Sequence, residues 1–159
     1  QFGLSQNGIA VFALVMAGAV ASPIAGRLAD AGRTLGATAL ALVLGSLSFA
    51  LPLLAPQAKA PALALLALAA IVLDAAVAAN LVLGQRALFT LGAEVRSRLN
   101  GLYFALFFAG GAFGSALGGW LYAEYGFGAA LVAGMLLPAV ALPVWLMEAA
   151  EHTAARRTA

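Results

Sequence analysis

The stretch from Arg96 to Tyr122, RSRLNGLYFALFFAGGAFGSALGGWLY, contains the strongest structural signal in this chain. After its two arginines, no charged side chain follows until Glu124. A run of this length crosses a bilayer core of about 30 Å as a helix, which takes roughly 20 apolar residues. Its glycines recur every four positions, at Gly110, Gly114 and Gly118. That spacing lines one helix face with residues small enough for two backbones to touch, so it predicts a transmembrane helix packed closely against a partner.

The composition of the whole chain is that of a membrane protein. Of its 159 residues, 64% are hydrophobic and 9% are charged, against about 25% charged residues in an ordinary soluble domain. The charges cluster and leave long uncharged runs between them, which predicts five spans. We place these spans at about residues 8–26, 35–55, 62–84, 99–122 and 127–147, followed by a polar tail over residues 148–159. The predicted fold class is an all-α, polytopic transmembrane helix bundle.

The same sequence argues against several other classes. It has no cysteine, so disulfide and thiolate chemistry are excluded. Its basic residues sit at span ends and not along one solvated face, which argues against nucleic-acid binding. A serine-type intramembrane protease needs a histidine in the bilayer, but His152 lies in the tail. An aspartyl type needs two intramembrane carboxylates, and only Asp74 is present. We therefore expect no enzyme activity, no cofactor and no bound metal.

Basic residues are distributed unevenly between the two sides of the predicted bundle. The loop 27–33 holds two arginines, the loop 86–98 holds three and the tail holds two, and all of them fall on one side. The other side has only Lys59. Because Lys and Arg concentrate in cytoplasmic loops, we expect the amino end outside and the tail in the cytoplasm. The first residue is not Met and the number of spans is odd, so we expect that a piece of the protein is missing.

A second face of small residues lies in the first predicted span. Gly18, Ser22 and Gly26 recur there every four residues. We expect this face to pack against the glycine face of the fourth span, because both faces allow close backbone approach. Two interpretations stay open: the faces serve packing alone, or they allow the two helices to slide past each other.

A carboxylate lies in the middle of the third predicted span. Asp74 is too far from either end to snorkel, and an ionised carboxylate there costs roughly 2.5–3.5 kcal/mol on insertion scales. It must face a wet cavity, find a partner or stay protonated. Gln85 shares its helix face, whereas Asn80 points about a third of a turn away. We interpret Asp74 as a proton carrier or substrate contact, with a structural hydrogen bond as the alternative, and Asn80 as a residue that bonds a neighbouring helix.

Polar and aromatic side chains crowd the inner half of the fourth span. They are Asn100, Tyr103, Phe104, Phe107 and Phe108. Such aromatics line an adaptable apolar cavity for an organic substrate in one interpretation, and pack or anchor the helix in the other. The candidate residues for proton coupling and substrate binding are Asp74, Asn80, Gln85, Asn100, Phe104 and Phe107.

The first inner loop, GRLADAGR at residues 26–33, resembles the signature loop of the major facilitator superfamily. That signature lies between helices two and three, with a copy between helices eight and nine, and Gly26 and Asp30 match it. Ala31 replaces its basic residue and the loop is one residue shorter, as is usual in the second copy. The run over residues 92–119 resembles the corresponding loop and helix. Its GSALGG segment is similar to the glycine signature of the drug/proton antiporter branch, with Ser115 in place of Pro.

This resemblance implies that the chain is half of a major-facilitator fold, helices eight to twelve of a secondary transporter. It implies transport of a small organic solute by alternating access, in a bacterial inner membrane. The implied partners are the lipid bilayer, the missing amino-terminal half, the solute and protons. Proton-coupled efflux is the leading hypothesis, and proton-coupled uptake and a non-transporting scaffold or receptor bundle are the alternatives.

The resemblance also implies a latch in which Asp30 holds one conformation. If the first and fourth spans pack together, Arg86 and Arg96 come close to Asp30. Asp30 would otherwise sit at the positive amino end of the fourth helix. The candidate latch residues are Gly26, Asp30, Arg33, Arg86 and Arg96.

Overall fold

The structure, a computed structural model, describes residues 17–54 and 58–158. Within these ranges the chain forms six α-helices and one short 3-10 helix, with no strand. The helices are α1 (Ala17–Asp30), α2 (Thr34–Ala50), α3 (Lys59–Phe89), α4 (Ala93–Tyr125), α5 (Phe127–Val140) and α6 (Leu142–Thr158), with the 3-10 helix Leu51–Leu54 directly after α2.

Four apolar segments in the described ranges are long enough to cross a bilayer. They are Thr34–Leu54, Ala60–Phe89, Ala93–Tyr125 and Phe127–Glu151. These segments overlap the second to fifth predicted spans. The first predicted span is seen from Ala17 onward, and its residues 8–16 lie outside the described ranges. The predicted class, an all-α transmembrane bundle, is confirmed.

Two connections between helices depend on glycine. Gly32 follows α1 with a φ of 71°, and Gly126 separates α4 from α5 with a φ of 83°. A side chain strains the backbone in this left-handed region, so glycine is the residue that reverses the chain there at least cost. A third break, at Ala141, divides the fifth span into α5 and α6. Pro138 and Pro143 flank it, and each removes a backbone donor from the helix.

The helices α2 and α3 form the centre of the described bundle. α1 and α2 both pack along α3, α5 packs on α2, and α4 packs on α5, whereas α4 and α3 meet over a small area only. Phe49 of α2 fills the space beside Gly134 of α5, where any added Cβ would overlap its ring. Trp145 ties α6 to the start of α2, because its indole Nε1–H donates a 2.8 Å hydrogen bond to the carbonyl oxygen of Leu35.

The predicted packing of the first span against the fourth is wrong for the described residues. α1 packs on α3 instead, and the two helices approach closely at Gly18. A Cβ added to Gly18 would lie 3.1 Å from the Cβ of Ala78 in α3. On α4, by contrast, a Cβ added at Gly110, Gly114 or Gly118 would find no atom within 4 Å. Small residues allow close helix packing but do not determine which helix packs against them. In the described structure the alanine-rich α3 packs against α1.

Candidate functional site

Asp74 is bound at the contact between α3 and α1. Its Oδ2 accepts a 2.7 Å hydrogen bond from the backbone N–H of Gly18. A side chain at Gly18 would crowd this contact, because its Cβ would lie 3.2 Å from that same oxygen, closer than most Cβ contacts in proteins. Hydrogen bonds from N–H groups to a carboxylate are among the stronger ones in proteins. Asp74 therefore has a partner on the neighbouring helix, while the residue itself stays exposed in the described bundle.

The Asp74 side of α3 faces the gap between α1 and α4. Ala78 contacts α1, and Gly84 contacts α4. In helical projection, Asp74, Leu81 and Gln85 fall between these two positions. Gln85 is half-buried, and its side chain makes no hydrogen bond within the described ranges. The gap thus presents one carboxylate and one amide from α3.

Tyr103 forms the contact between α4 and α3 on the other side of this gap. Its ring occupies the space left by Gly84, where any added Cβ would overlap it. Its hydroxyl donates to the carbonyl oxygens of Asn80 and Leu81, at 3.5 and 3.3 Å. These bonds use the backbone carbonyl of Asn80, and an interhelical bond of its side chain stays a prediction. From the sequence alone, Tyr103 is one aromatic residue among several. The sequence signal that could have indicated this contact is Gly84, because a glycine inside an apolar helix allows another helix to approach closely.

An aromatic cluster continues along α4 from Tyr103. Phe104 lies with its ring centroid 5.9 Å from that of Tyr103 and 6.2 Å from that of Phe108. Phe107 packs edge-on against Phe108 at 5.6 Å. One turn before Tyr103, the Oδ1 atom of Asn100 is buried without a hydrogen-bond partner. This part of α4 therefore places the Asn100 amide, whose oxygen has no hydrogen-bond partner in the described structure, next to a continuous aromatic surface.

At the loop end of the bundle, Asp30 pairs with Arg86. The Arg86 Nη1 and Asp30 Oδ1 atoms are 3.1 Å apart, and both side chains are about half exposed. Gly26, one turn before Asp30, lies beside this pair: a Cβ there would be 3.5 Å from Nη2 of Arg86, an ordinary van der Waals contact. The pair joins α1 to α3. Asp30 is thus held by Arg86 of α3.

The other two arginines proposed for the latch do not bind Asp30 in the described structure. Arg96 donates from Nη2 to the carbonyl oxygens of Phe89 and Leu91, at 2.9 and 3.2 Å. Its guanidinium also lies 5.6 Å from the centroid of the Phe89 ring. Arg96 therefore closes the turn between α3 and α4. Arg33 is exposed at the start of α2, and no ion pair of its side chain occurs within the described ranges.

We expect the ion pair of Asp30 and Arg86 to contribute little to the stability of this one conformation. Exposed pairs are screened by water and typically contribute about 0.2–1 kcal/mol. A double-mutant cycle with Asp30→Asn and Arg86→Gln, measured by thermal unfolding in detergent, should give a coupling in that range. Arg98→Gln is a matched control that carries no pair in the described structure. A coupling of several kcal/mol would contradict the expectation.

Comparison with known families assigns the sequence to a protein family. The sequence profile of the Major Facilitator Superfamily matches residues 1–159. Comparisons with curated proteins and with solved structures return no match. Membership of this family makes the chain part of an integral membrane secondary transporter for small molecules, and points away from an enzyme. The chain belongs to the Major Facilitator Superfamily.

Proposed function

We propose that this chain supplies helices eight to twelve of a proton-coupled exporter of small organic compounds, in the drug/proton antiporter branch of the family. The observation that carries this proposal is the position of Asp74. It lies in the middle of a span, on the side of α3 that faces the gap between α1 and α4. Acidic residues within membrane spans are rare and commonly serve a proton or substrate pathway, which supports a transport role for Asp74.

The hydrogen bond to Gly18 supports a carrier role for this carboxylate. Gly18 engages Oδ2, and Oδ1 stays available to a proton or to a polar group of the substrate. A proton and a cationic or hydrogen-bonding substrate would then compete for one oxygen. Such competition couples the two ligands, because binding of one lowers the affinity for the other.

The substrate surface in this proposal combines the gap residues of α3 with the cluster on α4. Asp74 and Gln85 supply polar contacts, while Asn100 adds an amide oxygen that has no partner in the described structure. Phe104 and Phe107 supply an apolar surface that suits an organic solute. Asn80 holds this surface in place, since its carbonyl accepts from Tyr103.

The amino-terminal half of the transporter is the partner we propose for the exposed face of α4. No residue of α4 is buried in the described bundle, and its glycine face is open. Rocking of the two halves around the gap would give alternating access. The pair of Asp30 and Arg86, with Gly26 beside it, is our candidate latch for one of the two states. Arg33 and Arg96 are proposed as residues that support the loops on either side.

The deciding experiment measures proton flux in sealed vesicles that contain the intact protein. A pH-sensitive dye inside the vesicles reports proton movement when a panel of small organic compounds is added outside. An antiporter moves protons against the direction of the compound. Proton movement in the same direction as the compound would favour the uptake symporter, and no flux with any compound would favour a scaffold or receptor.

Labelling of single cysteines tests the proposed orientation in a bacterial inner membrane. The chain has no cysteine of its own, so Ala58→Cys and Ser97→Cys each introduce a thiol that is unique within these 159 residues. We expect a membrane-impermeant maleimide to label Ala58→Cys from outside the cell, and Ser97→Cys only after the membrane is opened. The reverse pattern would contradict an external amino end and a cytoplasmic tail.

A further inference from the structure

An apolar groove lies between α1 and α2 on the surface of α3. Both helices pack on α3 but contact each other only slightly, which leaves a space of about 160 Å³ between them. Its floor on α3 consists of Ala75, Ala76, Ala79 and Leu83. At its rim, Ile24 of α1 and Leu40 of α2 are 51% and 55% exposed. The groove is therefore open towards the outside of the bundle, on the face of α3 opposite Asp74.

A polar pocket of about 270 Å³ lies at the loop end of the same three helices. Arg86 lines it on the α3 face that carries the groove, about one turn beyond Leu83. Thr34 lines it from the first turn of α2, about one turn before the groove residue Ala37. Asp30 and Thr90 are further polar groups in its lining. Groove and pocket thus follow one another from the apolar interior towards the membrane surface.

The pocket lining holds one basic and one acidic side chain, Arg86 and Asp30, and two further arginines lie close to lining residues in sequence. Arg86 offsets the charge of Asp30 through their ion pair. Arg27, in the last turn of α1, and Arg33, directly before Thr34 of α2, are exposed and form no ion pair within the described ranges. The first backbone N–H groups of α2 add a partial positive charge beside Thr34. A phosphate group matches this environment.

We propose that the groove and the pocket together bind one anionic phospholipid from the bilayer. An acyl chain occupies the groove, and the phosphate binds Arg86 and the hydroxyl of Thr34. Acyl chains are as apolar as the groove, so the groove provides fit, and the arginines at its loop end select the headgroup. This proposal requires only an integral membrane protein, and it stands whether or not the protein exports a solute.

Native mass spectrometry of the intact protein in detergent tests the proposal. Phosphatidylglycerol and phosphatidylethanolamine with identical acyl chains are added at equal concentration. We expect the first bound phosphatidylglycerol to be favoured about fivefold, the contribution of one basic residue near an anionic lipid. Arg86→Gln and Thr34→Val should each reduce that preference, whereas Arg98→Gln, outside the pocket, should leave it unchanged.

A second pair of variants tests the groove without changing any charge. Ala79→Leu fills the floor and should remove the first bound lipid. Ala70→Leu adds the same volume on the opposite face of α3 and should retain it. Thermal unfolding confirms that each variant is folded. Equal binding of the two lipids by the unmodified protein would overturn the proposal, and so would retained binding in Ala79→Leu.

Discussion

An Asp74→Asn protein should insert and fold normally but lose substrate-dependent proton movement. Asparagine keeps a side-chain carbonyl oxygen, so it still accepts the hydrogen bond that Gly18 donates to Asp74. It cannot bind and release a proton at neutral pH. We therefore expect proton flux to fall to the level of protein-free vesicles, and accumulation of the substrate against its gradient to stop.

A matched variant separates the chemical role of Asp74 from its structural role. Asp74→Ala removes both the proton site and the acceptor for Gly18, so it should lower thermal stability as well as transport. Unfolding of the two variants in detergent supplies this comparison. Unchanged proton flux in Asp74→Asn, together with lower stability in Asp74→Ala, would assign Asp74 to a structural hydrogen bond. The proposal of proton coupling through Asp74 would then fail.

Gly84→Ala should destabilise the contact between α3 and α4. A Cβ at this position would overlap the ring of Tyr103, and overpacking of this kind typically costs about 1–3 kcal/mol. Alanine inside a helix is otherwise favoured over glycine by about 1 kcal/mol. A loss of stability in Gly84→Ala would therefore point to the clash and not to helix propensity. Thermal unfolding of the variant in detergent measures the net effect.

Two further variants show whether the loss comes from Tyr103. Gly101→Ala is the control, because a Cβ there has no neighbouring atom within 4 Å, and it should be neutral or stabilising. In a Tyr103→Ala background the clash is absent, so adding Gly84→Ala should cost nothing more. An equal loss of stability with and without Tyr103 would show that α4 is not positioned by the Tyr103 ring in the space beside Gly84.

The helices and the class of this protein were predictable because each depends on local sequence. An uncharged run of about 20 residues has few alternatives to a transmembrane helix, since lipid leaves the backbone no other partner for its hydrogen bonds. The breaks were also local in origin. Pro138 and Pro143 flank the division of the fifth span, and the loop after Asp30 turns at Gly32. The resemblance carried by GRLADAGR pointed to the same family that the profile match over residues 1–159 shows.

The candidate site was predictable only in part, because its residues belong to different helices. The shared face of Asp74 and Gln85 follows from helical spacing alone. The bond from Gly18 to Asp74 does not, because it depends on which helix α1 packs against. The choice of Arg86 over Arg96 as the partner of Asp30 has the same origin: α1 lies against α3, and Arg96 turns back onto Phe89 and Leu91.

The sequence by itself determined that this chain is a bundle of membrane helices, where its turns fall and which single carboxylate lies at mid-span. The reason is that hydrophobic length, proline and glycine act within one segment. Only the tertiary structure decided that the small-residue face of α1 packs on α3. It also decided that the Tyr103 ring fills the space beside Gly84, and that a groove remains between α1 and α2. Small side chains permit close approach to any helix of matching shape, so the pairing depends on how all the helices pack together.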